Sequence, residues 1–299
     1  MIYLAILIIA LLIVSLVPVL VIIVGPKMLL MPDRRKSEYY LQKFGFNHPS
    51  QMGLRHEEGI ISTKEGFSLS YWEVDDPNCR GTKGVVVFLH GITDRKESGL
   101  NYAKELAELC QKMYLVDMRR HGDSEGKYCT YGYYEKHDVV KLIDKINSEK
   151  PGLPITLLGT SMGAAIAIQV AAIDRRVSRV IAVAPFYDLF SIALDHEHRH
   201  LGIRNEFLLR SVFRRAERIA DFDTAEVSPA KDMNKIHVPI LIVHGELDKT
   251  VKHQYPERLA ELNDRAELLS IKGAGHVDVL EKGGKAFVEK ISEFLSSPA

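Results

Sequence analysis

Ile155-Thr156-Leu157-Leu158-Gly159-Thr160-Ser161-Met162-Gly163 decides how this chain reads, because an apolar run ends in a tight turn and passes directly into an Ala-rich stretch from Met162 to Ala172. Four consecutive apolar or β-branched residues bounded by glycine fit a strand covered on both faces. A serine at such a junction occupies a strained turn that pushes its Oγ clear of the backbone. Glycines on either side are required because strand and helix approach too closely there to leave room for a Cβ. Taken alone, the five-residue pattern also describes a tight turn with a capping serine. The strand before it and the helix after it make Ser161 a candidate nucleophile.

Similar apolar runs recur on both sides of that turn. Val85 to Leu89, Met113 to Val116, Val180 to Val183, Ile240 to Val243 and Glu267 to Ile271 read as further buried strands. Helical patterns at Asn101 to Lys112, Tyr134 to Ile146, Tyr255 to Leu262 and Lys285 to Leu295 supply crossovers. Gly59 to Thr63 and Phe67 to Trp72 alternate around Lys64-Glu65-Gly66, which is a hairpin signal. The expected fold class is therefore α/β, a doubly wound, mostly parallel sheet that opens with an antiparallel hairpin. Residues 59–299 form its domain. Residues 186–237 are far longer than the usual α/β connection and carry helically spaced Phe207, Leu208, Leu209, Val212, Phe213 and Ala216. They read as a helical cap over the carboxyl ends of the strands, where open α/β sheets bind ligands.

A serine hydroxyl needs a base at neutral pH, and the base needs a carboxylate that fixes its tautomer. Asp248 follows the Ile240 to Val243 run, and His276 follows the Glu267 to Ile271 run, so both fall in loops on the rim that carries Ser161. Their order, Ser then Asp then His, is the one this geometry requires. Glu246 is the rival acid two residues earlier. A tetrahedral oxyanion needs two N–H donors; Met162 offers one at the start of its helix, and Ile92, after the His90-Gly91 bend, offers the other. His90 itself reads as a loop lock.

Thirty-nine Lys and Arg balance 39 Asp and Glu, which gives no electrostatic footprint for nucleic acid. Three cysteines without a C-x-x-C pair indicate neither a disulfide framework nor a structural metal, and they favour a reducing compartment. His196, His198 and His200 lack the spacing of zinc ligands and read as a solvated cluster. No metal or organic cofactor is expected. Met1 to Val24 carries no charged side chain and would span about 36 Å as a helix, enough to cross a bilayer core of roughly 30 Å. Residues 1–30 thus read as one transmembrane anchor and residues 31–58 as a connector. A cleaved signal peptide is the alternative, but it would show a basic start and a small-x-small cleavage site. Lys27, Arg34, Arg35 and Lys36 follow the span, which places the domain on the cytoplasmic side.

Leu89-His90-Gly91-Ile92, Asp117 to Ser124, Gly159 to Gly163, Val227-Ser228-Pro229, Val243 to Asp248 and Gly273-Ala274-Gly275-His276 together resemble the α/β-hydrolase superfamily. Within it they are similar to the serine-aminopeptidase-like and monoacylglycerol-lipase-like lysophospholipase branch. The resemblance implies Ser161 as nucleophile, Asp248 as orienting acid, His276 as general base, and Ile92 and Met162 as oxyanion donors. It also implies hydrolysis of lipid or small acyl esters through an acyl-enzyme. Arg120 departs from the family, which has glycine before His-Gly at that point. Protein S-acyl thioesterase and peptidase activities stay open, as does an idle fold used as a receptor or scaffold. Oligomeric state is left open.

Overall fold

The computed structural model describes residues 2–77, 79, 84–202 and 204–297, without the side chains of residues 4–15, 17 and 201. Two helices, α1 (Ile2–Leu30) and α2 (Glu38–Phe44), precede the sheet. The hairpin of β1 (Arg55–Ser62) and β2 (Ser68–Asp75) begins four residues before the expected Gly59, because Arg55 to Glu58 pair with Asp75 to Trp72 in register. Then follow β3 (Val85–Leu89), α3 (Leu100–Leu106), β4 (Lys112–Val116), α4 (Glu135–Glu149), β5 (Ile155–Thr160), α5 (Met162–Ala171) and β6 (Val177–Val183). The cap holds α6 (Leu189–Leu201) and α7 (Glu206–Ala220), followed by the short α8 (Pro229–Asp232). The chain closes with β7 (Ile240–Gly245), α9 (Gln254–Ala260), β8 (Ala266–Ile271) and α10 (Val279–Ser296).

The sheet order is β1-β2-β4-β3-β5-β6-β7-β8, antiparallel from β1 through β2 to β4 and parallel beyond. Strand periodicity divides the core into two layers. Val85, Val87, Leu89, Leu157, Ala182 and Ile242 face one layer, which α4 and α5 cover. Val86, Phe88, Leu158, Ile181, Leu241 and Val243 face the other, which α3 and α10 cover.

Two helices differ from expectation. The helix expected through Lys112 stops at Leu106, because the Gln111 N–H bonds the Gly84 carbonyl at 2.9 Å and delivers Lys112 into register with Val85. Pairing with the sheet overrides helix propensity there. At the other end of the chain, α10 starts at Val279 and bends at Gly284, whose φ of 50° lies outside helical space. The glycine pair Gly283-Gly284 hid that start.

The backbone of residues 2–30 is one helix, and its last turn belongs to the body. Leu30 is fully buried, its carbonyl accepts from the Cys129 N–H at 2.9 Å, and the Leu29 carbonyl accepts from the Tyr131 hydroxyl at 2.9 Å. Further up, α1 packs on α7, where Gly25 lies directly against Val212. Among the described residues no helix is long and apolar enough to cross a membrane. The single membrane span expected from Met1 to Val24 falls largely on side chains outside the described residues.

Candidate active site

Ser161 caps the N-terminus of α5 with φ 53° and ψ −114°, a conformation that non-glycine residues seldom adopt. Packing enforces it from both sides. A Cβ on Gly159 would meet the Gly163 carbonyl oxygen at 2.2 Å, and one on Gly163 would meet the Leu89 carbonyl oxygen at 2.0 Å. The Ser161 N–H is tied to the Val183 carbonyl at 2.8 Å. The hydroxyl thus stands above the turn on a backbone that cannot relax.

Three side chains distant in the chain meet at this rim. His276 Nε2 lies 3.0 Å from Ser161 Oγ, and its Nδ1 lies 2.7 Å from Asp248 Oδ2. Asp248 is fully enclosed, and its second oxygen accepts the N–H groups of Thr250 at 2.6 Å and Val251 at 2.9 Å. Burial alone would raise the Asp248 carboxyl; the hydrogen bond and charge of His276, with the two amides, outweigh it and hold the group below the usual carboxylate range. The rival Glu246 is exposed and lies outside this relay. The loops that carry Asp248 and His276 are pressed together: a Cβ on Gly245 would meet the Gly275 carbonyl at 2.4 Å, and the Leu247 N–H bonds the Ala274 carbonyl at 2.8 Å.

Opposite the serine, Gly91 approaches so closely that a Cβ there would lie 3.5 Å from Ser161 Cβ. The following N–H, that of Ile92, and the N–H of Met162 pair with no backbone carbonyl among the described residues. His90 locks this turn, its Nδ1–H donating to the Gly91 carbonyl at 2.7 Å while Nε2 accepts from the Met118 N–H at 3.0 Å. Its complete burial lowers its pKa and keeps the ring neutral, as that donor and acceptor pattern needs. Arg120 explains the family's glycine: its φ is 68°, the left-handed region where glycine has no steric cost.

Some supports left no signal in the sequence. The cap reaches the acid loop through Arg199 Nη1, which donates to the Lys249 carbonyl at 2.6 Å, and through Asp195, which takes the Lys252 ammonium at 2.5 Å and the Tyr255 hydroxyl at 2.5 Å. Contacts across fifty or more residues have no spacing signature. The turn that anchors Asp248 did have one, since Asp followed by Thr and Val two and three positions on is an Asx-turn pattern. A cavity of about 650 Å³ lies beside α6 and α7 and is lined by Tyr187, Phe190, Phe213, Arg210, Arg214 and Lys231 among others. None of Ser161, Asp248 and His276 is among its walls. Among the described residues no group of His, Cys, Asp and Glu is arranged to hold a metal ion.

Sheet order, elbow and relay define the chain as an α/β-hydrolase. The chain belongs to the α/β-hydrolase superfamily and is a hydrolase. A family model described as serine aminopeptidase, S33, matches residues 80–227, and one described as TAP-like protein matches residues 214–299. The uncharacterized protein YqkD of Bacillus subtilis is 29% identical over 80% of this chain and 78% of its own length. Human protein ABHD12B is 24% identical over 72% of this chain and 62% of its own. Human monoglyceride lipase is 35% identical over 31% of each. Among solved structures, the Pyrococcus furiosus esterase Pf2001 superposes with a TM-score of 0.67 at 22% identity, covering 83% of this chain and 94% of that one.

Proposed function

We propose that this protein is a membrane-anchored serine esterase acting on lipid or small acyl esters. The relay from Asp248 through His276 to Ser161, with separations of 2.7 and 3.0 Å, carries the reading. Ser161 Oγ attacks the ester carbonyl carbon as His276 Nε2 takes its proton, and the N–H groups of Ile92 and Met162 receive the oxyanion. The tetrahedral intermediate collapses, the C–O bond to the alcohol breaks, and His276 returns the proton to the departing oxygen. Water, deprotonated by the same imidazole, then attacks the acyl-enzyme and frees the acid and Ser161. Asp248 holds the Nδ1–H tautomer and stabilises the imidazolium. No metal or organic cofactor enters any step.

Apolar side chains at the rim favour an apolar acyl group. Leu247, next to Glu246 and Asp248 in the chain, is 62% exposed and Val277, next to His276, is 80% exposed, so both are free to meet an apolar group. Monoglyceride lipase and zebrafish lysophosphatidylserine lipase ABHD12, the latter 24% identical over 77% of this chain, point to the same substrate class. The charge-free run before Lys27, the helical backbone over residues 2–30 and the basic residues that follow support a single-pass anchor, with the domain at 59–299 on the cytoplasmic side.

The S33 family description favours a second reading, an aminopeptidase. That activity needs a free carboxylate for the substrate's ammonium. Three of the cap acids are already engaged: Asp188 caps α6 through Ser191, Asp195 binds Lys252 and Tyr255, and Glu197 accepts from the Asn205 N–H. Hydrolysis of p-nitrophenyl esters of increasing chain length, matched thioesters and aminoacyl anilides by the protein and its Ser161→Ala variant tests the proposal. Ester turnover that rises with chain length and vanishes in the variant supports it. Activity that survives the substitution refutes the mechanism, and a preference for thioesters or anilides refutes the substrate class.

A further inference from the structure

The segment that leaves α1 does not merely lead into the domain; it grips the turn beside the catalytic serine. Gly91 to Asp94 is a tight turn closed by the Asp94 N–H on the Gly91 carbonyl at 3.2 Å, with Thr93 at φ 62°. A non-glycine residue in that region is strained and stays there only if its surroundings hold it. Two holds come from residues 35–40. The Arg35 N–H donates to the Thr93 carbonyl at 3.2 Å, on the strained residue itself. One residue on, Asp94 Oδ1 accepts the Tyr40 hydroxyl and lies 3.3 Å from Arg35 Nη1. Tyr40 is 1% exposed, so its hydroxyl has been taken from water and must keep this partner. The guanidinium of Arg35 also lies 4.5 Å from the centre of the Tyr39 ring, which fixes its approach.

His90 holds the Gly91 carbonyl, and with it the peptide that carries the Ile92 N–H, from the inner side. Backbone and side chain of the connector hold the far end of the same turn, at Thr93 and Asp94, from outside. A hydrogen-bond donor aimed at a developing oxyanion loses most of its effect when its peptide plane tilts, since the bond weakens steeply away from linearity.

We propose that Arg35, Tyr40 and Asp94 are positioning residues that hold the Gly91–Asp94 turn so that the Ile92 N–H meets the oxyanion. The inference rests on the esterase reading above and extends it: the connector below α1 becomes part of what sets the rate, although none of its side chains touches the substrate.

The test uses the full chain in detergent micelles or vesicles, with Tyr40→Phe, Arg35→Gln, Asp94→Ala and Asp94→Asn. Measured for each are kcat and KM on one p-nitrophenyl ester, the inhibition constant of a trifluoromethyl ketone, and the melting temperature. Loss of a whole oxyanion donor costs about 100- to 1,000-fold in kcat, so a misaimed one is expected to cost about 10- to 100-fold in Tyr40→Phe and Asp94→Ala. KM should stay within about twofold, because the ground-state carbonyl draws little from that donor. The ketone, which forms a charged tetrahedral adduct, should weaken in proportion to kcat/KM, and Asp94→Asn, still able to accept from Tyr40, should recover part of the loss. Tyr40→Phe keeps the ring and its packing, so it reports on the hydroxyl even if Asp94→Ala does not fold. Wild-type kcat in Tyr40→Phe, or a kcat that falls only as far as the folded fraction falls, overturns the proposal. These failures are separable from that of the esterase reading, which falls if Ser161→Ala retains turnover or if thioesters or anilides are the preferred substrates.

Discussion

The rim that carries Ser161 and the cap above it are held by opposite means. At the rim, backbone touches backbone: Gly159, Gly163 and Gly245 each sit where a single methyl group would strike a carbonyl oxygen within 2.4 Å. The cap is joined to the body by side chains, through Arg199 to Lys249 and through Asp195 to Lys252 and Tyr255. Close-packed backbone has one arrangement, whereas long polar side chains re-form their contacts after small displacements. Ser161, Asp248 and His276 therefore rest on close-packed backbone, while the polar ties of the cap to the acid-side loop run through long side chains.

The largest effect that would test this division is at the acid. Asp248→Asn keeps the two amide contacts of its loop but removes the charge facing His276 and invites the wrong tautomer, so kcat should fall by about 10³- to 10⁴-fold with the fold intact. The same variant carries a pH signature. In the folded protein the Asp248 carboxyl lies below its ordinary range, so it contributes stability above the unfolded value that is lost as pH falls through the lowered one. Melting curves of Asp248→Asn should consequently lose less on acidification than those of the parent; an unchanged acid limb would show that the relay is not formed in solution.

At the elbow, Gly163→Ala drives a methyl into the Leu89 carbonyl and should destabilise by about 3 kcal/mol or more, read by denaturant unfolding, with esterase activity lost together with the fold. A variant of normal stability would mean that the rim is far softer than its packing indicates. Arg120→Gly acts in the other direction. It relieves a left-handed residue whose Nε is also buried without a partner, and should stabilise by about 0.5–1 kcal/mol at constant m-value. Smallest of all, Arg210→Gln combined with Arg214→Gln should change stability by less than about 0.5 kcal/mol, because both side chains are exposed. A cap that unfolds on losing these two charges would reverse the contrast.

Much of this was legible in the residue order. Buried strands read well because continuous apolar runs such as Val85 to Leu89 have few alternatives, and the meeting of Ser161, Asp248 and His276 at one rim could be anticipated because chain order and strand ends confine them. Two kinds of feature were not legible. Where the backbone disobeys propensity after Leu106, the deciding contact is with a strand far along the chain. At Gly283-Gly284 a half-buried glycine pair mimics a loop even though Phe287, four residues on, packs against the first of its residues. The grip of residues 35–40 on the turn at Thr93 was equally silent, since an arginine and a tyrosine in a polar stretch ordinarily face water.

The last turn of the N-terminal helix bears on how a shortened form should be made. Cutting after residue 30, at the end of the apolar stretch, would strip the core of Leu30, leave the Cys129 amide without its acceptor and uncover the Val212 stripe of the cap. Such a product would aggregate for reasons unrelated to greasy sequence left behind. Trimming no further than residue 24 removes Leu16, Val19, Leu20 and Ile23, which face outward, and spares the last turn that is packed into the domain and against the cap.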